Sequence, residues 1–123
     1  MTMTAEDYAQ LDAEFARAIG RGKAEIMILD GICHVREHCE WPRDIEFEAH
    51  VNWNLVMPEA IKREIIYRTS ASDVFAFPTG KNGESVDELF SAHPDLYTAI
   101  RVCLMRAVIE WEKVKGVEPE EQP

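Results

Sequence analysis

The chain contains 123 residues, of which 46% are hydrophobic and 29% are charged. These values are typical of one globular domain and exclude a disordered chain. The sequence has 13 basic and 23 acidic side chains, which gives a formal net charge of −10. Because such a surface repels nucleic acid and anionic membranes and attracts basic partners, we expect neither nucleic acid nor membrane as a direct partner.

Features of the sequence also bear on the cellular compartment. Cys33, Cys39 and Cys103 are an odd set without repeating spacing, which argues against a disulfide framework and favours a reducing compartment. The first residues lack the basic and apolar regions of a secretory signal. No apolar run approaches the roughly 20 residues that a bilayer span requires. We therefore expect a cytoplasmic protein.

The first predicted element is a helix over residues 5–19. Thr4 is a plausible N-cap, and Asp7 three positions later completes an imperfect capping box. Gly20 and Gly22 are expected to end the helix. The apolar stripe consists of Tyr8, Leu11, Phe15 and Ile19. The side chains expected to face water are Asp12, Glu14 and Arg17.

Residues 24–39 fit two interpretations. Asp30-Gly31 separates two short apolar runs, and this dipeptide favours a β-hairpin because a type I′ turn needs positive φ at both positions. Several of the same apolar residues also recur at helical spacing, and periodicity cannot separate the two for short runs. The hairpin is our prediction, and a helix stays open as the alternative.

Residues 45–55 alternate strictly between apolar and polar side chains. This period of two predicts a strand with one buried and one solvated face. A helix through Phe47, Val51 and Leu55 is the alternative, but it would bury few of the other apolar residues. The apolar set is Ile45, Phe47, Ala49, Val51, Trp53 and Leu55. The polar set is Glu46, Glu48, His50, Asn52 and Asn54.

Shorter elements are predicted for residues 58–93. Pro58 suggests the start of a short helix over 58–69, although residues 64–69 also suit a strand. The run 74–77, which Pro78 stops, is expected to be an edge strand or a buried loop. Ser85 and Glu88 form a capping box that predicts a short helix to about His93.

Residues 94–115 predict one long helix. Pro94 suits its first position, and Gly116 is expected to end it. Apolar residues cover most of its circumference, which is typical of a central helix. Val102, Met105 and Ile109 present more apolar surface than one small sheet can cover, so we also consider a homodimer.

Together these elements predict an α+β fold, with an N-terminal helix, a small antiparallel sheet and C-terminal helices packed on it. An all-α bundle is the alternative if residues 24–39 are helical. We expect one globular domain over residues 1–115 and a disordered acidic tail over 116–123.

The sequence His34-Val35-Arg36-Glu37-His38 matches the His-x-x-Glu-His pattern of inverted zincins. In that pattern, two histidines one helical turn apart bind zinc and the glutamate acts as the general base. The resemblance covers these five residues alone, and the motif requires a helix. A small zinc-dependent enzyme using His34, Glu37 and His38 is therefore an alternative hypothesis, and the main prediction includes neither a metal nor another cofactor.

The polar face of the predicted strand is the candidate binding site. Its side chains would stand in one row, spaced about 7 Å apart, and carboxylates at such spacing can pair with Arg or Lys of a basic surface. The predicted partner-binding residues are Glu40, Asp44, Glu46, Glu48, His50, Asn52 and Asn54.

These observations predict a non-enzymatic, acidic protein-binding module. Phage and mobile-element inhibitors that occupy a basic, nucleic-acid-binding surface of a host complex include small acidic proteins without catalytic motifs. We consider that function for this chain because it is the same type of protein and not because its residues resemble theirs. The alternatives are the zinc enzyme and a dimeric chaperone or adaptor that offers an apolar helix face.

Overall fold

The structure, a computed structural model, describes residues 2–20, 25–37, 43–79 and 85–117. In these ranges the fold is α+β, as predicted, with two three-stranded antiparallel sheets and three α-helices. The elements are α1 (Ala5–Ala18), β1 (Glu25–Leu29), β2 (Ile32–Glu37), β3 (Arg43–Glu46), α2 (Trp53–Lys62), β4 (Ile65–Thr69), β5 (Asp73–Pro78), β6 (Val86–Leu89) and α3 (Leu96–Val117). Short 3₁₀ turns at Ala49–Val51 and Phe90–Ala92 precede α2 and α3.

The described elements after α1 fall into two units built on the same plan. The first unit (residues 25–62) contains β1, β2, β3, a 3₁₀ turn and α2, and the second unit (residues 65–117) contains β4, β5, β6, a 3₁₀ turn and α3. In each sheet the strands pair in chain order. Helix α1 contacts the first sheet and α3, so it joins the two units.

Helix α1 begins with the predicted capping box. Thr4 Oγ1 accepts from the Asp7 N–H at 3.2 Å, and Asp7 Oδ2 accepts from the Thr4 N–H at 2.9 Å. Gly20, with φ +96°, follows the C-cap residue Ile19, a conformation that glycine adopts without steric cost. These observations confirm the predicted start and end of the helix; Gly22 lies outside the described residues.

The hairpin prediction for residues 24–39 is confirmed in the described strands. Asp30 and Gly31 have φ values of 53° and 76°, as a type I′ turn requires. Leu29 pairs with Ile32 across this turn. The all-α alternative is therefore wrong.

Four other element predictions are wrong. The alternating segment 45–55 leaves the sheet after β3, and α2 begins at Trp53 rather than at Pro58. Residues 65–69 form β4, which was the alternative to a helix there. Ser85 does not cap a helix, because residues 86–89 form β6 with Val86 and Glu88 partly buried and Asp87 and Leu89 exposed.

The run 74–77 belongs to β5, which is the central strand of its sheet and not an edge. Pro78 is the last residue of β5, and proline is tolerated at the end of a strand better than in its middle. Local composition indicated the strand but not its neighbours.

Helix α3 is the centre of the core, as the sequence predicts. Between Thr98 and Ile109 every residue except Arg106 is buried. The Asp95 carboxylate caps the first turn by accepting from the Thr98 N–H at 2.8 Å, and this backbone hydrogen bond lowers the pKa of Asp95. The helix extends to Val117, past the predicted stop at Gly116, and residues 118–123 lie outside the described ranges.

The argument for a homodimer through α3 is wrong. Val102 and Met105 have no exposed surface and Ile109 is 8% exposed, because the sheet of β4, β5 and β6 packs against α3 together with α1 and α2. Cys103, also on α3, is fully buried, and burial raises the pKa of its thiol to about 12.

Candidate functional site

The predicted binding residues do not stand in one row. Glu46 ends β3, Glu48 precedes the 3₁₀ turn, and His50 lies within it. Asn52 is the N-cap of α2, where its Oδ1 accepts from the Asn54 N–H at 2.9 Å. We call residues 46–54 the acidic segment.

Exposure within the acidic segment differs from residue to residue. Glu46, Asn52 and Asn54 are exposed, whereas Glu48 and His50 are partly buried. Asp44 lies on β3 opposite Arg36, and Glu40 lies outside the described residues. The structure thus keeps three predicted residues at the surface and turns His50 inward.

The alternating pattern fails as a strand because its second half has other hydrogen-bonding partners. The ladder ends where the Phe47 N–H donates to the Cys33 carbonyl at 2.8 Å. Val51, which a strand would bury, is 52% exposed. The side chains of α2 that are buried instead, Val56 and Ala60, are four residues apart, which is the spacing of a helix face.

His50 is held by a buried carboxylate on α1. Asp12 is 1% exposed, so the prediction that it faces water is wrong. Its Oδ2 lies 2.7 Å from His50 Nδ1, and its Oδ1 accepts from the His50 N–H at 3.0 Å. Burial raises the pKa of Asp12, and the hydrogen bond from His50 opposes that rise.

Tyr8, one turn before Asp12 on α1, contacts the histidines of both units. Its ring stacks on that of His50 with centroids 4.6 Å apart and an interplanar angle of 11°. Its hydroxyl lies 2.6 Å from Nδ1 of His93. Burial, followed by the charge of Glu88, raises the pKa of Tyr8, which keeps the phenol protonated at neutral pH.

His93 continues the contact to the second sheet. Its side chain is fully buried, and its Nε2 lies 2.8 Å from Glu88 Oε1 on β6. The other carboxylate oxygen of Glu88 is 3.0 Å from Arg106 Nε on α3. A continuous chain of polar groups therefore runs from Tyr8 through His93 and Glu88 to Arg106.

Arg101 fixes the acidic segment from the side of α3. Its Nε donates to the His50 carbonyl at 2.8 Å, and its Nη2 donates to Thr98 Oγ1 at 3.2 Å. Its guanidinium lies 4.9 Å from the centre of the Trp53 ring, a favourable cation–π distance. The N–H and the carbonyl of His50, the middle residue of the 3₁₀ turn, are therefore bonded to α1 and α3.

These contacts define the anchoring cluster, which consists of Tyr8, Asp12, His50, Glu88, His93 and Arg101. Its polar groups bond chiefly to one another, as buried polar groups must if they are not to destabilise the fold. Only the side chain of His50 has appreciable exposure, at 18%. The arrangement can hold backbone segments in place, and the side chain of His50 is more exposed than that of Glu88, at 11%.

A second charged cluster joins α2 to the end of α3. Arg63 Nη1 lies 2.8 Å from Glu59 Oε1, and its Nη2 lies 2.7 Å from Glu112 Oε2. The guanidinium also lies 5.6 Å from the centre of the Trp111 ring. Because the Arg63 side chain is 7% exposed, this cluster fastens the helices together and does not present a basic surface.

A groove of about 440 Å³ lies between α1, β6 and the C-terminal half of α3. Its lining carries both signs of charge, from Glu14, Glu110, Arg106 and Lys113. Arg106 is also the last member of the series of polar contacts that begins at Tyr8. The groove therefore lies at the end of that series opposite to Tyr8.

The zinc hypothesis loses its geometric premise. His34 lies on strand β2, whereas the inverted zincin motif requires a helix to bring its two histidines together. His38 and Cys39 lie outside the described residues. Among the residues that the structure describes, no group of three or more His, Cys, Asp or Glu side chains is arranged to hold a metal ion.

Sequence reasoning found His50 but missed its partners. Asp12 was placed on the solvent side of α1, although it follows Tyr8 by four residues and so shares its helix face. That spacing was the available signal. His93 and Glu88 had no local signal, because they meet only once β6 and the second 3₁₀ turn have folded.

Comparisons of the chain with protein-family models, with curated proteins and with solved structures found no match. Within the described ranges, no helix has the length and apolar character needed to cross a membrane.

Proposed function

We propose that the protein is a non-enzymatic, acidic protein-binding module that occupies a basic surface of a larger protein or nucleoprotein complex. An inhibitor carried by a phage or mobile element, which takes the place of nucleic acid on that surface, is the form of this function that we favour. The net charge of −10 supports a basic partner, because it speeds encounter with positive surfaces and repels nucleic acid.

The observation that carries the proposal is the way the acidic segment is held. His50 receives two contacts from Asp12 and one from Arg101, so the backbone on either side of it is fixed. Glu46, Asn52 and Asn54 remain exposed on the same segment. A surface segment that is ordered before binding loses less conformational entropy when it meets a partner.

The internal pairing of the acid–base groups also favours a binding role over catalysis. Tyr8, Glu88 and His93 contact one another below the surface. Asp12 contacts His50. In each case the groups that could transfer protons bond to another element of the fold. A general base must instead reach the proton of a substrate, so this arrangement favours binding.

We further propose a cytoplasmic location for the protein and a homodimeric state. The first continues the expectation drawn from the cysteines. The homodimer no longer rests on α3 and needs a different surface.

A capture experiment tests the function. The full chain is immobilised and incubated with nuclease-treated lysate of the source cell at low and high salt, and the captured proteins are identified. We expect one nucleic-acid-binding protein that is released by high salt, since exposed charge pairs are screened by ions, and by added duplex DNA or RNA. Capture that neither salt nor nucleic acid reverses would contradict an acidic mimic.

Matched charge reversals locate the surface. Glu46→Lys with Glu48→Lys should weaken binding and reduce its salt dependence. Glu14→Lys with Glu110→Lys changes the net charge equally on a different part of the molecule and should retain binding. If both pairs of changes weaken binding equally, net charge alone governs the interaction and the acidic segment is not the site.

A further inference from the structure

Strand β4 has the properties of an interaction edge. Among the described strands it pairs with β5 on one side only. Every residue from Ile66 to Thr69 is exposed, including Ile66 at 41% and Tyr67 at 40%. An exposed edge strand with apolar side chains is a ready template for pairing with another chain. Unlike β1 and β3, this edge strand has described residues on both sides.

Hydrogen bonds beyond both ends of β4 show which of its backbone groups point away from β5. The Ser70 N–H donates to the Asp73 carbonyl at 2.8 Å, and the Glu64 carbonyl accepts from the Thr79 N–H at 2.9 Å. Because hydrogen-bonded and non-hydrogen-bonded pairs alternate in an antiparallel ladder, the even-numbered residues of β4 bond to β5. The residues that direct their N–H and C=O groups to the open edge are Ile65, Tyr67 and Thr69.

The side chains along this edge are self-complementary. Glu64 and Arg68, both exposed, lie at equal distances along the chain before and after Ile66. Glu64 lies in the turn just before β4, with φ +58°. If a second β4 runs antiparallel about a twofold axis at Ile66, this turn of each copy lies beside Arg68 of the other. Opposite charges facing each other across two strands stabilise the pair.

We propose that β4 pairs with β4 of a second copy of this chain about that twofold axis. Ile65 of each copy exchanges backbone hydrogen bonds with Tyr67 of the other, and the two Ile66 side chains meet. The β4–β5–β6 sheets of the two copies then form one six-stranded sheet. Such an isologous interface closes at two copies and removes the exposed edge.

The outer face of the same sheet supports this pairing. Ile66 stands opposite Phe77 in the β4–β5 register, and the Phe77 ring stacks against Phe75 with centroids 6.4 Å apart. The second copy's Ile66 would therefore extend an apolar surface that already exists. The dimer does not involve the acidic segment, so it can succeed or fail independently of the proposed function.

Sedimentation velocity tests the dimer. The full chain should sediment with twice the 14.1 kDa mass of one chain. Arg68→Glu places like charges opposite each other and should raise the dimer dissociation constant by about tenfold or more. Adding Glu64→Lys to that variant reverses both charges and should restore the dimer. A monomeric wild-type protein, or an Arg68→Glu variant that dimerises as tightly as the wild type, would overturn the proposal.

Cysteine cross-linking tests the register, in a Cys39→Ser background. At a non-hydrogen-bonded position on the axis, the two copies of residue 66 would have Cα atoms about 4.5 Å apart, which a disulfide can span. Ile66→Cys should therefore form a covalent dimer on oxidation. Arg68→Cys is the matched control, because its two copies would lie about 13 Å apart along the strands. Failure of Ile66→Cys to cross-link in a protein that still dimerises would assign the dimer to another surface.

Discussion

The two units share a plan but use it differently. Each ends in a 3₁₀ turn followed by a helix, and each places a histidine, His50 or His93, against α1. His93 is fully buried between Tyr8 and Glu88, whereas the side chain of His50 is 18% exposed beside Asp12. The second unit places its histidine in the interior, whereas the first keeps its histidine near the surface.

The two helices show the same contrast. Helix α3 is buried on nearly all sides between Thr98 and Ile109, whereas the fully buried residues of α2 are Val56 and Ala60. Helices at the same place in the two units therefore need not contribute equally to the stability of the fold. What decides the contribution is how much apolar surface each helix removes from water.

The largest expected effect tests that difference. Leu104→Ala on α3 should lower the free energy of unfolding by about 2–5 kcal/mol, because a buried leucine leaves a cavity when it is truncated, and Leu104 has no exposed surface. Ile61→Ala on α2, where the side chain is 66% exposed, should change it by no more than about 0.5 kcal/mol. Urea denaturation followed by circular dichroism measures both. Equal losses would refute the division between the units.

A smaller effect compares the two histidine contacts. Asp12→Ala removes the acceptor of the His50 N–H and the partner of His50 Nδ1, and it should cost about 2–3 kcal/mol, because buried polar groups left unpaired are destabilising. Tyr8→Phe removes one hydroxyl beside His93 and should cost about 1 kcal/mol. The same unfolding measurement applies. If Tyr8→Phe proved the more costly change, the second contact would be the stronger anchor.

The smallest effect concerns pH. Burial raises the pKa of Asp12 in the folded state, so folding favours the protonated carboxyl. The stability from this group is fully present below its unfolded pKa, about 3.9, and is lost as pH rises through the higher folded value. Asp12→Asn does not titrate. Its stability relative to the wild type should therefore improve as pH rises from about 4.

Thermal unfolding of both proteins at a series of pH values measures this difference. The control is Glu14→Gln, which removes an exposed carboxylate of the same helix and should leave the pH dependence of the wild type unchanged. A difference between Asp12→Asn and the wild type that is constant with pH would show that Asp12 keeps its ordinary pKa in the fold.

Sequence patterns predicted the elements that local interactions specify. The box of Thr4 and Asp7 involves neighbouring residues, so it could be found without the fold. The turn at Asp30-Gly31 follows from the positive φ that both residues accept. The long helix α3 followed from its apolar periodicity, and the full burial of Cys103 from its place on that helix.

The wrong predictions lie where one local pattern permits two structures. Segment 45–55 alternates like a strand, yet its second half is drawn to Asp12 and capped by Asn52. Ser85 and Glu88 satisfy a capping box in sequence, yet Glu88 pairs with His93 in space. In both cases a contact between distant residues competes with the local signal, and the buried contact prevails because an unpaired buried polar group is costly.

The sequence alone therefore determined the α+β class, the acidic character and the central helix, since composition and periodicity act within single elements. The tertiary structure decided the inward position of His50, the burial of Asp12 and the open edge at β4. These features depend on which elements become neighbours, and that choice belongs to the packing of the whole chain.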